Sequence, residues 1–371
     1  MANKLPQSAQ ELRGQVSEAY QLAGLYAFAI GEFTLIKVLI DYKVFDAIPE
    51  EGDISIAELA IKVGGEQEIL DRFIFQLINA EVLAGPATGR VAHTYKSKKY
   101  ISTTIEAGLV CHVFNMLLRP LAQLPTYFKQ HGFASPKSSK VTPFGMALNH
   151  PDWDVYQILD DEPSLYNQFN GVLKSLGSMY SLQGTYDFSW MEPKLTGERL
   201  AVIDIGGSSA LGIKDILDHN TFIPAQRCAL LDLPQVVETT KNTCHESLKS
   251  IQFVPGSVFD PFPKHLHGAC VYQLRRILND FTDEDVLRAL RNVRAAAALD
   301  SRILIIEEMM TGERNLLTAG MDVFLMMVGG KKRNTAMFSD LAVRAGLRLT
   351  GEFKQVSAAF DDYSVLEFSV I

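Results

Sequence analysis

Cysteine is scarce and unpatterned in this sequence. The 371 residues include four cysteines, and none forms the C-x-x-C spacing typical of a zinc site or a redox pair. The first residues also lack the basic segment and apolar run of a secretory leader. We therefore expect a reduced, cytoplasmic protein with no structural disulfide and no metal site, in which the four thiols are free: Cys111, Cys228, Cys244 and Cys270.

Positive charge and long apolar runs are also in short supply. The chain has 35 Lys and Arg residues against 43 Asp and Glu residues, and the net charge of −8 repels phosphate backbones and anionic lipid. The richest apolar stretch, Ala23 to Ile40, is interrupted by Glu32 and Lys37 and falls short of the roughly 20 apolar residues that span a bilayer. We expect neither nucleic acid nor a membrane as a partner.

What the sequence does contain predicts two domains. From Ser8 to about Tyr180 the apolar periodicity is mostly helical, and residues 56–63, 66–81 and 90–100 have the outline of a winged helix. The second of these helices carries more acid than base, which argues against DNA recognition. We expect a helical dimerisation and substrate-lid domain over residues 1–185 and a second domain over residues 186–371.

The second domain has the pattern of a doubly wound α/β fold. After Glu198, short β-branched runs alternate with amphipathic helices, which is typical of a parallel sheet with crossover helices. The pattern predicts a Rossmann-like domain with strands at 200–205, 227–232, 251–255, 268–273, 301–307, 347–354 and 363–371.

A glycine-rich turn follows the first of these strands. Gly206 and Gly207 allow a tight turn and close approach of a ligand to the backbone, although many such turns carry glycine for geometry alone. Asp232 ends the next strand, where a carboxylate can accept hydrogen bonds from both hydroxyls of a ribose. The pair therefore predicts a nucleoside site near the start of a helix at about Ile213.

Six motifs occur in a characteristic order along the chain. They are Asp204-Ile-Gly-Gly, Leu231-Asp-Leu-Pro, Val254-Pro-Gly-Ser-Val-Phe, Leu274-Arg-Arg-Ile-Leu-Asn-Asp-Phe-Thr-Asp-Glu, Ile306-Glu-Glu and Gly329-Gly-Lys-Lys-Arg. The set resembles that of the caffeate-type plant and fungal O-methyltransferases over nearly the whole chain. The resemblance implies a Rossmann-like class I methyltransferase domain with an α-helical winged-helix and dimerisation domain, and therefore a homodimer.

The resemblance also implies S-adenosylmethionine as cofactor, with NAD as a lesser option. The cofactor would lie between Gly206 and Asp232, with adenine near two residues after the third strand and Arg275 near its ribose or carboxylate end. The family commonly has Gly where this chain has Ser208 and Ala210, and Asp-Met where it has Ser257-Val258. The implied cofactor residues are Asp204, Gly206, Gly207, Asp232, Leu233, Ser257, Val258 and Arg275.

The position of the family's general base is changed. Methylating members carry a histidine immediately before the aspartate of the fourth motif, where this chain has Asn279 before Asp280. An amide exchanges hydrogen bonds but cannot take a proton near neutral pH. Of two flanking acids in the family, one maps to Glu307 and the other to Lys332. Taken singly, Asn279 could cap the following turn and Lys332 could be a solvated cation.

Together, the two changes favour another chemistry. The chain resembles the fungal O-methyltransferase-like pericyclases, which dehydrate an alcohol of a pyridone-type polyketide and direct a Diels–Alder or Alder-ene reaction of the quinone methide, with S-adenosylmethionine bound and unconsumed. Lys332 and Asn279 would supply electrostatics, His112 would assist loss of water, and Asp280 would orient or pair with Lys332 or His112. The cavity would be apolar, with Phe114, Met116, Phe169, Met179, Met326 and Met327 as candidate lining residues.

Two other functions stay open at this point. One is a genuine O-methyltransferase that acts on a phenolic or polyketide hydroxyl that is already acidic, or whose proton His112 or Glu307 removes. The other is a dimerising scaffold without chemistry. A lone histidine in an apolar helix, as at His112, is also typical of a plain core residue.

Overall fold

The computed structural model describes residues 9–176, 181–310, 312, 315–355 and 363–371, without the side chains of residues 9–17, 19, 173–176 and 317. Met179, a candidate cavity residue, lies outside these ranges. The chain forms two compact units, Met1–Asn115 and Met116–Ile371. The helices between residues 119 and 176 therefore group with the second unit. The functional division between residues 185 and 186 stays a prediction.

The first unit is helical with a small sheet. Its elements are α1 (Ala9–Asp41), α2 (Val44–Ala47), β1 (Ile54–Ser55), α3 (Ile56–Val63), α4 (Gln67–Asn79), β2 (Leu83–Ala84), β3 (Arg90–His93), α5 (Tyr95–Lys98) and α6 (Ile105–Val113), and the strand order is β1-β3-β2. Helix α3 begins where predicted because Ser55 and Glu58 form a capping box. Its core includes Leu39, Phe45 and Ile74.

The predicted wing over residues 90–100 was only partly right. The wing strands are β2 and β3, whereas residues 95–98 form the short helix α5. Thr94 accounts for the difference because its hydroxyl accepts hydrogen bonds from the backbone N–H groups of Lys96 and Ser97, which starts a helical turn.

The second unit begins with helices and continues as the doubly wound domain. Its elements are α7 (Arg119–His131), α8 (Pro143–Ala147), α9 (Val155–Asp161), α10 (Pro163–Leu176), β4 (Val202–Ile205), α11 (Leu211–His219), β5 (Cys228–Asp232), α12 (Pro234–Thr243), β6 (Gln252–Pro255), β7 (Val271–Arg275), α13 (Asp283–Ala296), β8 (Arg302–Glu308), α14 (Leu316–Met327), α15 (Thr335–Arg344), β9 (Leu347–Lys354) and β10 (Tyr363–Val370). All seven predicted strands are present. Strand β7 begins three residues later than predicted, after Gly268 turns at a φ of 74°.

The seven-stranded sheet has the order β6-β5-β4-β7-β8-β10-β9. Strands β4 to β8 are parallel, while β10 runs antiparallel to both β8 and β9. The chain winds outward from β4 to β6 and then returns to β7 on the other side of β4. The crevice at the carboxyl ends of β4 and β7 is therefore a topological switch point, where ligands bind in open α/β sheets.

Two helical stretches of the described chain are long and apolar enough to cross a membrane, by length and composition alone. They are Tyr20–Asp41 and Ile105–His131. Charged residues interrupt the apolar run of each stretch, at Glu32 and Lys37 in the first and at Arg119 and Lys129 in the second. Core helices and signal sequences meet the same criterion, so the absence of a membrane partner stays a prediction.

Candidate active site

The glycine turn after β4 is shaped by the protein's own packing. Gly206 has a φ of 68°, and a Cβ there would lie 2.2 Å from Cδ1 of Ile277. A Cβ on Gly207 would lie 2.4 Å from Oδ2 of Asp204. Ser208 and Ala210 also adopt positive φ, at 49° and 58°, which glycine adopts more easily. The protein's own geometry therefore requires glycine at positions 206 and 207. Helix α11 begins at Leu211, two residues earlier than predicted.

Asp204 lies beneath this turn. Its Oδ1 accepts a hydrogen bond of 2.9 Å from Nε2 of Gln273, whereas its Oδ2 has no hydrogen-bond partner among the described residues. Burial raises the pKa of Asp204 to about 6, against the hydrogen bond from Gln273 and the charge of Arg275. Oδ2 would also lie 2.7 Å from a Cβ on Gly212, so the carboxyl group supports the turn from below. Its role toward the cofactor stays a prediction.

Asp232 stands at the end of β5, beside the same turn. Its Oδ2 accepts a hydrogen bond of 2.8 Å from the N–H of Ser208, and its Oδ1 accepts one of 2.7 Å from the N–H of Leu233. Burial raises the pKa of Asp232, and these two N–H groups oppose the shift. Each carboxylate oxygen keeps acceptor capacity for a further donor, as a ribose diol would supply.

The other predicted cofactor residues follow β6 and end β7. Ser257 accepts a hydrogen bond of 3.2 Å from the N–H of Phe259, and Val258 is buried. Nε of Arg275 donates to the hydroxyl of Tyr363 at 3.1 Å, and its Nη1 lies 3.6 Å from Oδ2 of Asp215. Sequence reasoning missed these two partners of Arg275, because one lies on β10 and the other on α11.

Taken together, the ends of β4, β5, β6 and β7 fit a nucleoside ligand. The orphaned oxygen of Asp204 lies beside the glycine turn, and the carboxylate of Asp232 keeps acceptor capacity that suits a ribose diol. These features suit S-adenosylmethionine, whose ribose, amino group and sulfonium are matched by acceptors and negative charge.

The segment after β7, residues 276–281, forms what we call the β7 turn. Arg276 has a φ of 53°, and residues 278–280 make one turn of 3₁₀ helix. The N–H groups of Ile277, Leu278 and Asn279 all donate to Oε1 of Glu307, at 2.9, 2.8 and 3.3 Å. Burial raises the pKa of Glu307 to about 8, with a further contribution from the nearby charge of Asp280. Glu307 therefore anchors the backbone of this turn.

Asn279 is buried, and its amide orientation is determined by its neighbours. Nδ2 donates to Oε2 of Glu307 and to the backbone carbonyl of Glu308, both at 3.1 Å. Because the Glu308 carbonyl can only accept, the amide must present its NH₂ group to it. Its Oδ1 is buried and has no hydrogen-bond partner within the part of the chain that is described. Because this oxygen accepts no backbone N–H, Asn279 does not cap the following turn, and Thr282 is the N-cap of α13.

Lys332 is also buried, so the alternative of a solvated cation is wrong. Its Nζ lies 3.5 Å from Oε2 of Glu308, and its backbone N–H donates to Oδ1 of Asp322 at 2.7 Å. The loop of residues 329–333 reaches the β7 turn because the N–H of Lys331 donates to the carbonyl of Asn279 at 2.9 Å. The fold thus links Lys332 to Asn279 through Glu308, which sequence reasoning missed because it is the second of two adjacent glutamates.

Asp280 has a partner that the sequence did not indicate. The hydroxyl of Tyr156, on α9, donates to Oδ2 of Asp280 at 2.9 Å. Burial raises the pKa of Asp280 to about 6, and the hydrogen bond from Tyr156 opposes the shift. The pairing of Asp280 with Lys332 or His112 stays a prediction.

His112 and the described candidate residues for the apolar cavity lie in helical segments. His112 lies on α6 of the first unit, where burial lowers its pKa to about 4 and keeps the imidazole neutral at neutral pH. Met116 and Phe169 pack with Phe144 in an apolar cluster formed mainly by residues 116–169, and Met327 is fully buried. The catalytic role of His112 and the lining roles of Phe114, Met116, Phe169, Met326 and Met327 stay predictions.

Comparison with known proteins places the chain among methyltransferases. Residues 142–348 match the family described as O-methyltransferase domain. Methyltransferase phm5 from Pyrenochaetopsis sp is 42% identical over 349 residues, which are 93% of this chain and 95% of that protein. Four further relatives of 34–35% identity are also named methyltransferases.

Solved structures share the fold. OxaC in complex with S-adenosylhomocysteine and oxaline matches with a TM-score of 0.83 at 21% identity, over 100% of this chain and 94% of that one. LepI in complex with S-adenosylmethionine matches with a TM-score of 0.80 at 21% identity, over 98% of this chain and 92% of that one. With the family match and the relatives, these likenesses identify the protein: the chain belongs to the O-methyltransferase family, whose cofactor is S-adenosylmethionine.

Proposed function

We propose that this protein transfers the methyl group of S-adenosylmethionine to an acidic O–H or N–H group of a small molecule. The observation that carries the proposal is the amide of Asn279, which is held by Glu307 and by the carbonyl of Glu308 so that its oxygen is left as a buried acceptor. The relatives of 34–42% identity, all named methyltransferases, support the same reaction class.

The chemistry follows from what an amide oxygen can do. Bound S-adenosylmethionine supplies an electrophilic methyl group. Oδ1 of Asn279 accepts a hydrogen bond from the proton-bearing atom of the acceptor and orients that atom, but it does not remove the proton. The proton must therefore pass to solvent as the new bond forms, which is easy for an acidic group such as an enol or an acidic phenol. Glu307, which anchors the β7 turn, keeps the amide in place.

A second candidate is the pericyclase function, favoured by the burial of Lys332. A pericyclic reaction needs a positive charge or donor on a carbonyl, and an ammonium group in a dry site would supply it. However, Lys332 lies 3.5 Å from a carboxylate oxygen of Glu308, and this partner reduces the charge that a substrate carbonyl would meet. Methyl transfer is therefore the leading proposal.

The experiment that separates the two candidates is incubation with methyl-labelled S-adenosylmethionine. Acceptors should include enols, acidic phenols, simple alcohols and a dehydratable pyridone alcohol. We expect label in the product and one S-adenosylhomocysteine per turnover with the acidic acceptors, and little with simple alcohols. Conversion of the pyridone alcohol with no labelled product would instead support the pericyclase and defeat the proposal.

Substitution of Asn279 tests the role of its oxygen. We expect Asn279→Ala to lower kcat/KM by about 10-fold or more, because a positioning hydrogen bond at a buried site is worth roughly 1–3 kcal/mol. Asn279→His should widen the range to less acidic acceptors, since imidazole takes a proton near neutral pH. Gln252→Ala, at an exposed position of β6, serves as a control. Unchanged kinetics in Asn279→Ala would exclude the amide from the reaction.

We also propose that the protein is a homodimer joined through α1. Large apolar side chains are exposed along this helix, namely Leu22, Leu25, Tyr26, Phe28 and Ile30. Exposed apolar side chains in this number on one helix are typical of an interface. A second copy of the chain exposes the same side chains, so a two-fold pairing of the helices would cover both sets.

Light scattering after size exclusion tests the dimer. We expect a mass of two chains for the natural protein and of one chain for the Leu25→Glu, Phe28→Glu double variant. Ile61→Glu is the control, because Ile61 is highly exposed on α3 of the same unit. A monomeric natural protein, or one recovered only with vesicles or detergent, would contradict the proposal.

A further inference from the structure

Tyr156, on α9, contacts two different parts of the second unit. Its backbone N–H is held by Oδ1 of Asp154, the N-cap of α9, at 3.0 Å. Its ring packs against both the core of the seven-stranded sheet and the apolar cluster around Phe144. The centroid of the ring lies 6.0 Å from that of Phe281. Its hydroxyl reaches Oδ2 of Asp280 at 2.9 Å. Tyr156 therefore connects α9 directly to the β7 turn.

The carboxylate that Tyr156 meets lies among several charges. On β8, Glu307 and Glu308 are close enough to disfavour a negative charge on Asp280. Arg276, in the β7 turn itself, and Arg333, in the 329–333 loop, favour that charge. Burial is the largest influence and raises the pKa of Asp280 to about 6 despite the favourable groups, so loss of one donor would shift its titration within the near-neutral range.

The phenol of Tyr156 is a donor at every relevant pH. Burial raises its own pKa far above the usual value, and the charge of Asp280 adds to the effect. A neutral phenol next to a carboxylate makes a charge-assisted hydrogen bond, which favours the ionised carboxylate.

We infer that Tyr156 is a positioning residue that keeps Asp280 ionised and thereby maintains negative charge in the β7 turn, next to Asn279. The inference rests on the proposed methyl transfer. An acceptor atom that takes the methyl group before its proton has left carries positive charge, and the ionised carboxylate of Asp280, which follows Asn279 in the β7 turn, stabilises that charge. Tyr156 acts through Asp280 and need not touch the substrate.

The test compares Tyr156→Phe with Tyr127→Phe. The control is closely matched, because Tyr127 is a buried tyrosine of the same unit whose hydroxyl donates to a neutral carbonyl, that of Val141, at 3.2 Å. Loss of the Tyr156 hydroxyl should shift the acidic limb of the plot of kcat against pH upward by about one pH unit. Turnover should then fall about fivefold at about pH 6 and stay within about twofold at about pH 8.5. Tyr127→Phe should leave the limb in place, and an unmoved limb in Tyr156→Phe would overturn the inference.

Thermal unfolding supplies a readout that does not depend on methyl transfer. The folded-state pKa of Asp280 is raised to about 6, so ionising this buried group costs stability as pH rises. Without the Tyr156 hydroxyl this cost grows, and the Tm deficit of Tyr156→Phe should be larger at about pH 8 than at about pH 5. The Tm of Tyr127→Phe should be lowered by the same amount at both pH values.

The Asp280→Asn background completes the design, because it removes the titrating group. There, the pH dependence of the Tyr156→Phe deficit should disappear. A pH-independent deficit in the natural background would overturn the inference whether or not the enzyme methylates. If the pH-dependent deficit is present but the natural protein transfers no label, the proposed function fails and the coupling of Tyr156 to Asp280 is supported.

Discussion

Gly330→Ala is expected to reduce methyl transfer by about 100-fold or more while leaving cofactor binding nearly intact. A Cβ at Gly330 would lie 2.1 Å from the carbonyl oxygen of Asn279 and 2.7 Å from the carbonyl carbon of Asp280. Both contacts are with backbone, so no side-chain rotation relieves them. The β7 turn must therefore move away from the 329–333 loop, and the amide of Asn279 moves with it.

Steady-state kinetics and calorimetric titration with S-adenosylhomocysteine separate these effects. The residues that we predict to bind the cofactor, at the ends of β4 and β5, are not part of the clash, so we expect the dissociation constant to change by less than about threefold, well under 1.4 kcal/mol. Gly320→Ala in α14 is the control, because a Cβ there meets nothing within 4 Å. Full activity of Gly330→Ala would show that the Asn279 position is not critical for turnover.

Arg333→Met is expected to lower the free energy of unfolding by about 3 kcal/mol or more. Arg333 is completely buried. Its guanidinium donates to the carbonyls of Leu278 and Phe281, at 2.9 and 2.7 Å, and through two nitrogens to Oδ1 of Asp283. Methionine fills similar space but supplies none of these hydrogen bonds, and the carbonyls of Leu278 and Phe281 lose a charged donor.

Lys331→Met is the matched control for urea unfolding. Lys331 pairs with the same carboxylate, at 2.6 Å from Oδ2 of Asp283, but both side chains are substantially exposed. Exposed pairs of this kind contribute about 0–1 kcal/mol. Comparable midpoints for the two variants would mean that the buried hydrogen bonds of Arg333 to the β7 turn add little to stability.

The elements with strong periodicity were predictable from sequence. Residues 56–63 form a helix with the predicted bounds, because a capping box and amphipathic spacing agree there. The strands of the second unit are buried apolar runs bounded by turn residues, and such runs are readily recognised. The positions of Gly206 and Asp232 at adjacent strand ends followed from the same pattern.

The partners of the candidate active site were not predictable in this way. Tyr156 and Asp280 are separated by 124 residues, and no periodicity connects them. Glu307 and Glu308 are neighbours in sequence, yet one anchors the β7 turn while the other pairs with Lys332. Successive side chains of a strand point to opposite faces, so their roles depend on what packs on each face.

The sequence by itself determined the family and the order of the strands along the chain, and its resemblance to the family led to the expectation that Asn279 stands where methylating members carry a basic imidazole. These depend on residue type and local spacing. Only the tertiary structure decided which way that amide faces, that Lys332 is buried beside a carboxylate, and that Tyr156 reaches Asp280. The reason is physical: the ionisation of a buried group and the direction of its hydrogen bonds depend on neighbours that the fold brings from distant parts of the chain.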